Sequence, residues 1–243
     1  MSVDIKSESE VKDYIKNLGI EYRFGCYSEK NPEVCHLLAD FLESIKKDYE
    51  KAAKVYKNNC DEFKYGKSCL KFGTYSLLGK GLPKADFVNA YGYFEKGCNL
   101  NDTESCLNQG LLLCTSNDDK GVPHDVITGL KLLEKACSGK NANACYYLSG
   151  MYIAGVRKKP EKDSKVVDFV IQKNMQKAFM YAMDGCNLGN MYSCANLSQM
   201  YAKGDGVEKS KELADRYKKL AIDMQKEVEN AKTLTFQEGL KPT

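Results

Sequence analysis

Apolar and small residues recur along this chain at offsets of three, four and seven, the spacing of one helix face. Three positions after Cys35, Cys69, Cys106, Cys145 and Cys194 stand Leu38, Phe72, Gln109, Leu148 and Leu197. Four positions after them come Ala39, Gly73, Gly110, Ser149 and Ser198, and seven after, Leu42, Ser76, Leu113, Tyr152 and Tyr201. The small residue at the fourth position predicts close helix contact. A second series runs backwards from Cys60, Cys98, Cys137 and Cys186: Ala52, Ala90, Gly129 and Ala178 eight before, Val55, Tyr93, Leu132 and Tyr181 five before. Two amphipathic helices therefore alternate. They are separated on one side by the cysteines and on the other by Gly-containing turns at 79–82, 120–122, 154–156 and 204–207, where glycine suits the left-handed residue that ends a helix.

The cysteines carry the register. Ten of the eleven form close pairs, Cys26/Cys35, Cys60/Cys69, Cys98/Cys106, Cys137/Cys145 and Cys186/Cys194, whose first members lie 34, 38, 39 and 49 residues apart. That period belongs to helix-pair solenoids. The pattern runs on through Ala214 and Tyr217, but Ile222 stands where a sixth staple would begin, so the repeats end there. The chain is thus expected to be all-α, an α-solenoid of about five repeats starting near Cys26, Cys60, Cys98, Cys137 and Cys186 and filling 26–231. Residues 1–25 form an N-terminal capping helix, opened by a capping box at Ser7 and Glu10 and stopping at Gly19. From Lys232 to the end the helical period fades, and a loose tail is expected over 232–243. Residues 157–173, Lys-rich and then apolar, interrupt the fourth repeat as a long loop or a lengthened helix.

Each cysteine pair spans the short turn between two antiparallel helices, where Cα atoms come within the roughly 4.4–6.8 Å that a disulfide needs. Loop closure over such short rings contributes on the order of 2.5 kcal/mol per bridge. A reduced chain is the alternative. A zinc site is disfavoured, because neither Cys-x2-Cys nor His-x3-His occurs and no metal is expected. Cys114 is left over from the pairing.

Composition narrows the function classes. With 36 basic against 33 acidic residues and no block of like charge, nothing suggests nucleic acid. No window is apolar enough to span a membrane, and the N-terminal residues carry neither a signal core nor a transit pattern. Disulfides without a leader are in tension, since oxidising compartments are usually reached through one.

The run of second helix, Cys, short loop, Cys and then G/S-x-x-Y…G-x-G-V resembles the Sel1-like repeat, in its cysteine-rich branch, over about residues 26–222. Residues 50–81, EKAAKVYKNNCDEFKYGKSCLKFGTYSLLGKG, and 194–207, CANLSQMYAKGDGV, look like the cytochrome c oxidase assembly factor 7 family. That resemblance implies a protein of the mitochondrial intermembrane space, trapped there by oxidation after import, which resolves the tension. It further implies a monomeric scaffold that contacts proteins of the complex IV assembly pathway and the oxidative import machinery, with the concave surface as the binding face. A haem-binding thiol-disulfide oxidoreductase acting on assembly intermediates is the enzymatic alternative; a secreted or endoplasmic-reticulum adaptor is the third, disfavoured by the missing leader.

Candidate chemistry is sparse. Cysteine-rich Sel1-like proteins of bacteria have been linked to β-lactam binding, but Ser9/Lys12, Ser44/Lys47 and Ser68/Lys71 are no more Ser-x-x-Lys matches than chance supplies, and the partner motifs are missing. For haem, the two histidines, His36 and His124, lie two repeats apart, too far to share an iron. Cys114 with His124 is the more plausible ligand pair, against the plainer reading of Cys114 as a small buried residue closing Leu111–Leu113. His36 is expected at the surface or a helix start. The basic stretch from Arg157 to Lys162 reads as a solvated loop or a contact for an acidic partner. Without a Cys-x-x-Cys, no redox-active pair stands out. No catalytic residue and no resident cofactor are assigned.

Overall fold

A computed structural model describes residues 8–115, 121–158 and 169–237. Among them are eleven helices and one two-stranded ribbon: α1 Glu8–Tyr27, α2 Pro32–Ser44, α3 Tyr49–Asp61, α4 Gly66–Leu78, α5 Phe87–Asn99, α6 Thr103–Thr115, α7 Val126–Ser138, α8 Ala142–Ala154, β1 Val156–Arg157, β2 Phe169–Ile171, α9 Met175–Asn187, α10 Met191–Lys203 and α11 Lys211–Gln237. From α2 to α10 every helix is 13 residues long, about 20 Å at 1.5 Å per residue. The chain gathers into two compact units, Met1–Asp125 and Val126–Thr243, where the repeats had suggested one domain over 26–231.

Two kinds of turn alternate, and each is closed by one backbone bond. At the cysteine corners the residue four before the second cysteine donates its N–H to the carbonyl of the residue just before the first. The donors are Asn31, Tyr65, Asp102, Asn141 and Asn190; the acceptors are Gly25, Asn59, Gly97, Ala136 and Gly185, at 2.9–3.3 Å. At the longer turns the residue opening the next helix donates to the residue seven after the second cysteine: Asp48 to Leu42, Asp86 to Ser76, Asp125 to Leu113, Asn174 to Tyr152 and Ser210 to Tyr201. Loops of quite different length thus close at the same register. Asp48, Asp86 and Asn174 also accept a side-chain N-cap bond, which is why Asp and Asn recur there.

The first glycine of the G-x-G turns, Gly79 or Gly204, is the left-handed C-cap of its helix. The second does other work. A Cβ on Gly81 would strike the backbone of Tyr49, and one on Gly206 that of Met175, so this glycine lets the turn lie against the start of the preceding odd-numbered helix.

Core positions follow the register. Ala52, Ala90 and Ala178 are fully buried, and Gly73 is small because a Cβ there would stand 2.7 Å from the Phe94 ring. At four residues before the first cysteine sit Tyr56, Phe94, Leu133 and Ala182, each with no exposure. The terminal helix α11 has the exposed Lys218 at this position, the polar outer face that ends a repeat stack.

Several boundaries differ from the sequence expectation. Helix α1 passes through Gly19 to Tyr27 and carries Cys26; Gly19 serves packing, since a Cβ there would meet the Phe41 ring at 2.9 Å. Ser7, the proposed capping residue, lies outside the described residues. Of the 157–173 segment, residues 159–168 lie outside the described residues; at its two ends β1 and β2 pair antiparallel, Val156 with Ile171 and Arg157 with Phe169. The aromatic and β-branched residues of β2, Phe169–Ile171, suit a strand. Most of Arg157–Lys162 falls outside the described residues. Helix α11 runs past Ile222 and Lys232 to Gln237.

Candidate functional site

The structure brings together each of the five cysteine pairs. Cα–Cα separations are 4.5 Å for Cys26–Cys35, 4.8 Å for Cys60–Cys69, 4.5 Å for Cys98–Cys106, 4.8 Å for Cys137–Cys145 and 4.7 Å for Cys186–Cys194, all bridged. All ten cysteines are buried at the corners, shielded from an attacking thiolate.

Cys114, outside the bridges, lies in the last turn of α6. Burial, with the Asp125 carboxylate adding to it, pushes its thiol up to about 11. It is therefore protonated at neutral pH, the opposite of a nucleophilic cysteine. The bond from Asp125 N–H to Leu113 O, 3.0 Å, brings the segment holding the exposed His124 back to the same end of α6. Even so, a thiolate ligand to haem would have to form against both burial and a neighbouring carboxylate. Among the described residues no three His, Cys, Asp or Glu side chains converge as a metal site, and no helix is long and apolar enough to cross a membrane.

His36, expected at the surface or a helix start, is the fifth residue of α2 and is half-buried. It sits between the rings of Tyr56 and Tyr65, 5.5 and 5.4 Å away, with Nδ1 2.8 Å from Ser68 Oγ and Nε2 3.7 Å from Asp40. Burial lowers its pKa, and Lys71 and Lys67 act in the same direction against Asp40. Serine, histidine and aspartate therefore meet, but Ser68 is wholly buried and already accepts from Asn59 Nδ2 at 2.7 Å. No substrate carbonyl reaches it, so the contact is structural and Ser68/Lys71 is no acylation pair. Around it a charged network continues. The Tyr56 hydroxyl donates to Asp40 and, at 3.0 Å, to Glu43, which is bridged by Lys71 at 3.1 Å and Lys80 at 2.6 Å. Burial works against the Glu43 carboxylate, but hydrogen bonds from Lys80, Lys71 and Tyr56 outweigh it and bring the group down to about 2. Two acids against two lysines is a balanced arrangement, suited to holding α2, α3 and α4 in register. Sequence reasoning missed it because its members come from four separate stretches of chain.

Two of the grooves among the described residues run along helix faces. One, of about 600 Å³, lies between α10 and α11 and is lined by Ala195, Ala202, Ala214, Ala221, Lys218 and Tyr192, among others. The other, of about 490 Å³, lies on α1–α3 over Leu38, Leu42 and Val55.

Comparison with known proteins fits this geometry. The Sel1 repeat model matches residues 63–102, 104–141 and 192–224. The cytochrome c oxidase assembly factor 7 homolog of Drosophila melanogaster is 51% identical over 99% of this chain and 98% of its own length. The chain belongs to the cytochrome c oxidase assembly factor 7 family. The Xenopus tropicalis and Homo sapiens members are 40% and 34% identical, over 97% and 96% of this chain and 98% of their own lengths in both cases. Among solved structures, a Sel1 repeat protein from Oxalobacter formigenes superposes with a TM-score of 0.70 at 21% identity, over 88% of this chain and 83% of the other. The uropathogenic Escherichia coli antigen c5321, which displays an SLR fold, gives 0.69 at 15% identity, over 91% and 49%. Both speak to the fold alone. The family's repeat signature thus coincides with the turns and corners described above.

Proposed function

We propose that this chain assists the assembly of cytochrome c oxidase as a protein-binding scaffold in the mitochondrial intermembrane space. The observation that carries the reading is the full-length likeness to the Drosophila assembly factor. Five buried disulfides support an oxidising compartment. A Cys114 thiol held protonated speaks for a scaffold over a thiol-disulfide oxidoreductase. The partners are then proteins of the complex IV assembly pathway, with the oxidative import machinery acting once, on entry.

The test is depletion of the protein in its own cells, followed by quantitation of the respiratory complexes on native gels. Complex IV is expected to fall selectively and to recover with the wild-type chain and equally with Cys114→Ser. Unchanged complex IV would overturn the assembly role; failure of Cys114→Ser alone would favour the redox reading. Protease accessibility after selective rupture of the outer membrane checks the compartment, and resistance until the inner membrane is also opened would refute it.

A further inference from the structure

The groove on α1–α3 lies at a repeat boundary that lacks the stacked tyrosines of two others. At the boundaries of the fourth and fifth repeats, two tyrosines fill the equivalent space. Tyr152 stacks on Tyr181 with centroids 5.7 Å apart, and Tyr201 on Tyr217 at 5.6 Å. In the first repeat the same two positions are Leu42 and Val55, as in the third they are Leu113 and Leu132, and Leu42 and Val55 line the groove of about 490 Å³. Its floor, Leu38, Leu42 and Val55, is apolar. Its rim carries Arg23 from α1, Lys46 from the turn after α2 and Lys54 from α3, all exposed. Lys51 also lines it but is paired with Asp48 at 2.7 Å, so the rim is left with an excess of positive charge.

We propose that this groove docks an acidic segment of a protein partner, which inserts one aromatic side chain over Leu42 and Val55 and sets its carboxylates against Arg23, Lys46 and Lys54. The ring takes the place of those that the fourth and fifth repeats supply from within, and aromatic burial carries most of the energy in such a contact. The rim steers and orients the segment. A flat anionic bilayer suits the site less well, because its phosphates would face an apolar floor set below the rim. The proposal rests on the scaffold reading, yet it can fail while complex IV still depends on the chain.

The test is titration of the full, oxidised protein into a fluorescent peptide with three acidic residues on either side of a phenylalanine. Its Phe-to-Ala counterpart and phosphatidylserine-containing vesicles serve as comparisons. The wild type is expected to bind the phenylalanine peptide at least about tenfold more tightly than the alanine one, a difference of about 1.4 kcal/mol. Val55→Tyr restores the ring that Tyr93, Tyr181 and Tyr217 carry at this position, so it is expected to fold normally and to weaken binding about tenfold or more. Arg23→Glu with Lys54→Glu is expected to abolish binding, while Lys203→Glu with Lys219→Glu in the other unit leaves it unchanged. Equal affinity for both peptides, equal loss in the two charge-reversed proteins, absence of binding, or preference for the vesicles would each overturn the proposal.

Discussion

The corner between α3 and α4 and the corner between α9 and α10 are closed by an equivalent backbone bond and bridge, the first over a turn one residue longer, and are filled in opposite ways. In the first, the residues preceding the two cysteines are Asn59 and Ser68, hydrogen-bonded at 2.7 Å, with Asn59 also donating to Pro32 O at 2.9 Å and His36 closing on Ser68. In the second they are Gly185 and Ser193, so close that a Cβ on Gly185 would lie 2.9 Å from Ser193 Cβ. Both corners carry the same carbonyl bond, from Tyr65 to Asn59 and from Asn190 to Gly185, and the same bridge. The backbone bond and the disulfide define the corner; the side chains have only to fill it without collision or unmet polarity. One corner does so by hydrogen bonding, the other by close approach.

Exchanging the fillings breaks the comparison most severely. Gly185→Asn forces an amide into a space already taken by Ser193 and is expected to cost about 3 kcal/mol in urea unfolding. The reciprocal Asn59→Gly removes the donor to Ser68 and to the Pro32 carbonyl and adds backbone entropy, for about 2 kcal/mol. A loss under about 0.5 kcal/mol in either variant would show that the fillings are interchangeable.

Acid separates the two regions next. Glu43, held at about 2 in the network beside the first corner, contributes stability that is complete above its unfolded value of about 4.5 and is lost as pH falls from there towards 2. The loss is on the order of 2 kcal/mol. His36, whose folded pKa is lowered, adds a smaller loss that begins as pH falls through its unfolded value near 6.5, since the unfolded chain then binds the proton first. Hydrogen exchange over pH 7 to 3 is expected to show α2–α4 loosening before α9–α10. Simultaneous loosening would count against this assignment.

The smallest effect sharpens the contrast. Ser193 Oγ is buried without a hydrogen-bond partner among the described residues, so Ser193→Ala is expected to be neutral or to stabilise by up to about 1 kcal/mol. Ser68→Ala removes the acceptor of Asn59 and is expected to destabilise by about 1 kcal/mol. Thermal melts of the two variants decide it, and shifts of the same sign would contradict it.

Periodicity and cysteine spacing determined much by themselves: the helix pairs, the cysteine-to-cysteine matches and the small fourth position were all legible. These are local features, set within a turn or two of helix, and the 3.6-residue period and the short rings record them directly. The β1–β2 ribbon was not legible, because its strands flank a long insertion and are strands only by pairing with each other. Gly19 was misread as a stop, since nothing local distinguishes a glycine that ends a helix from one that admits the Phe41 ring. The tertiary structure alone gathered His36, Glu43, Tyr56, Lys71 and Lys80 into one network, and Arg23, Lys46 and Lys54 around one groove. Charges dispersed along a balanced sequence leave no pattern there. They act together only when helices from different repeats bring them within a few ångströms, where burial strengthens each interaction.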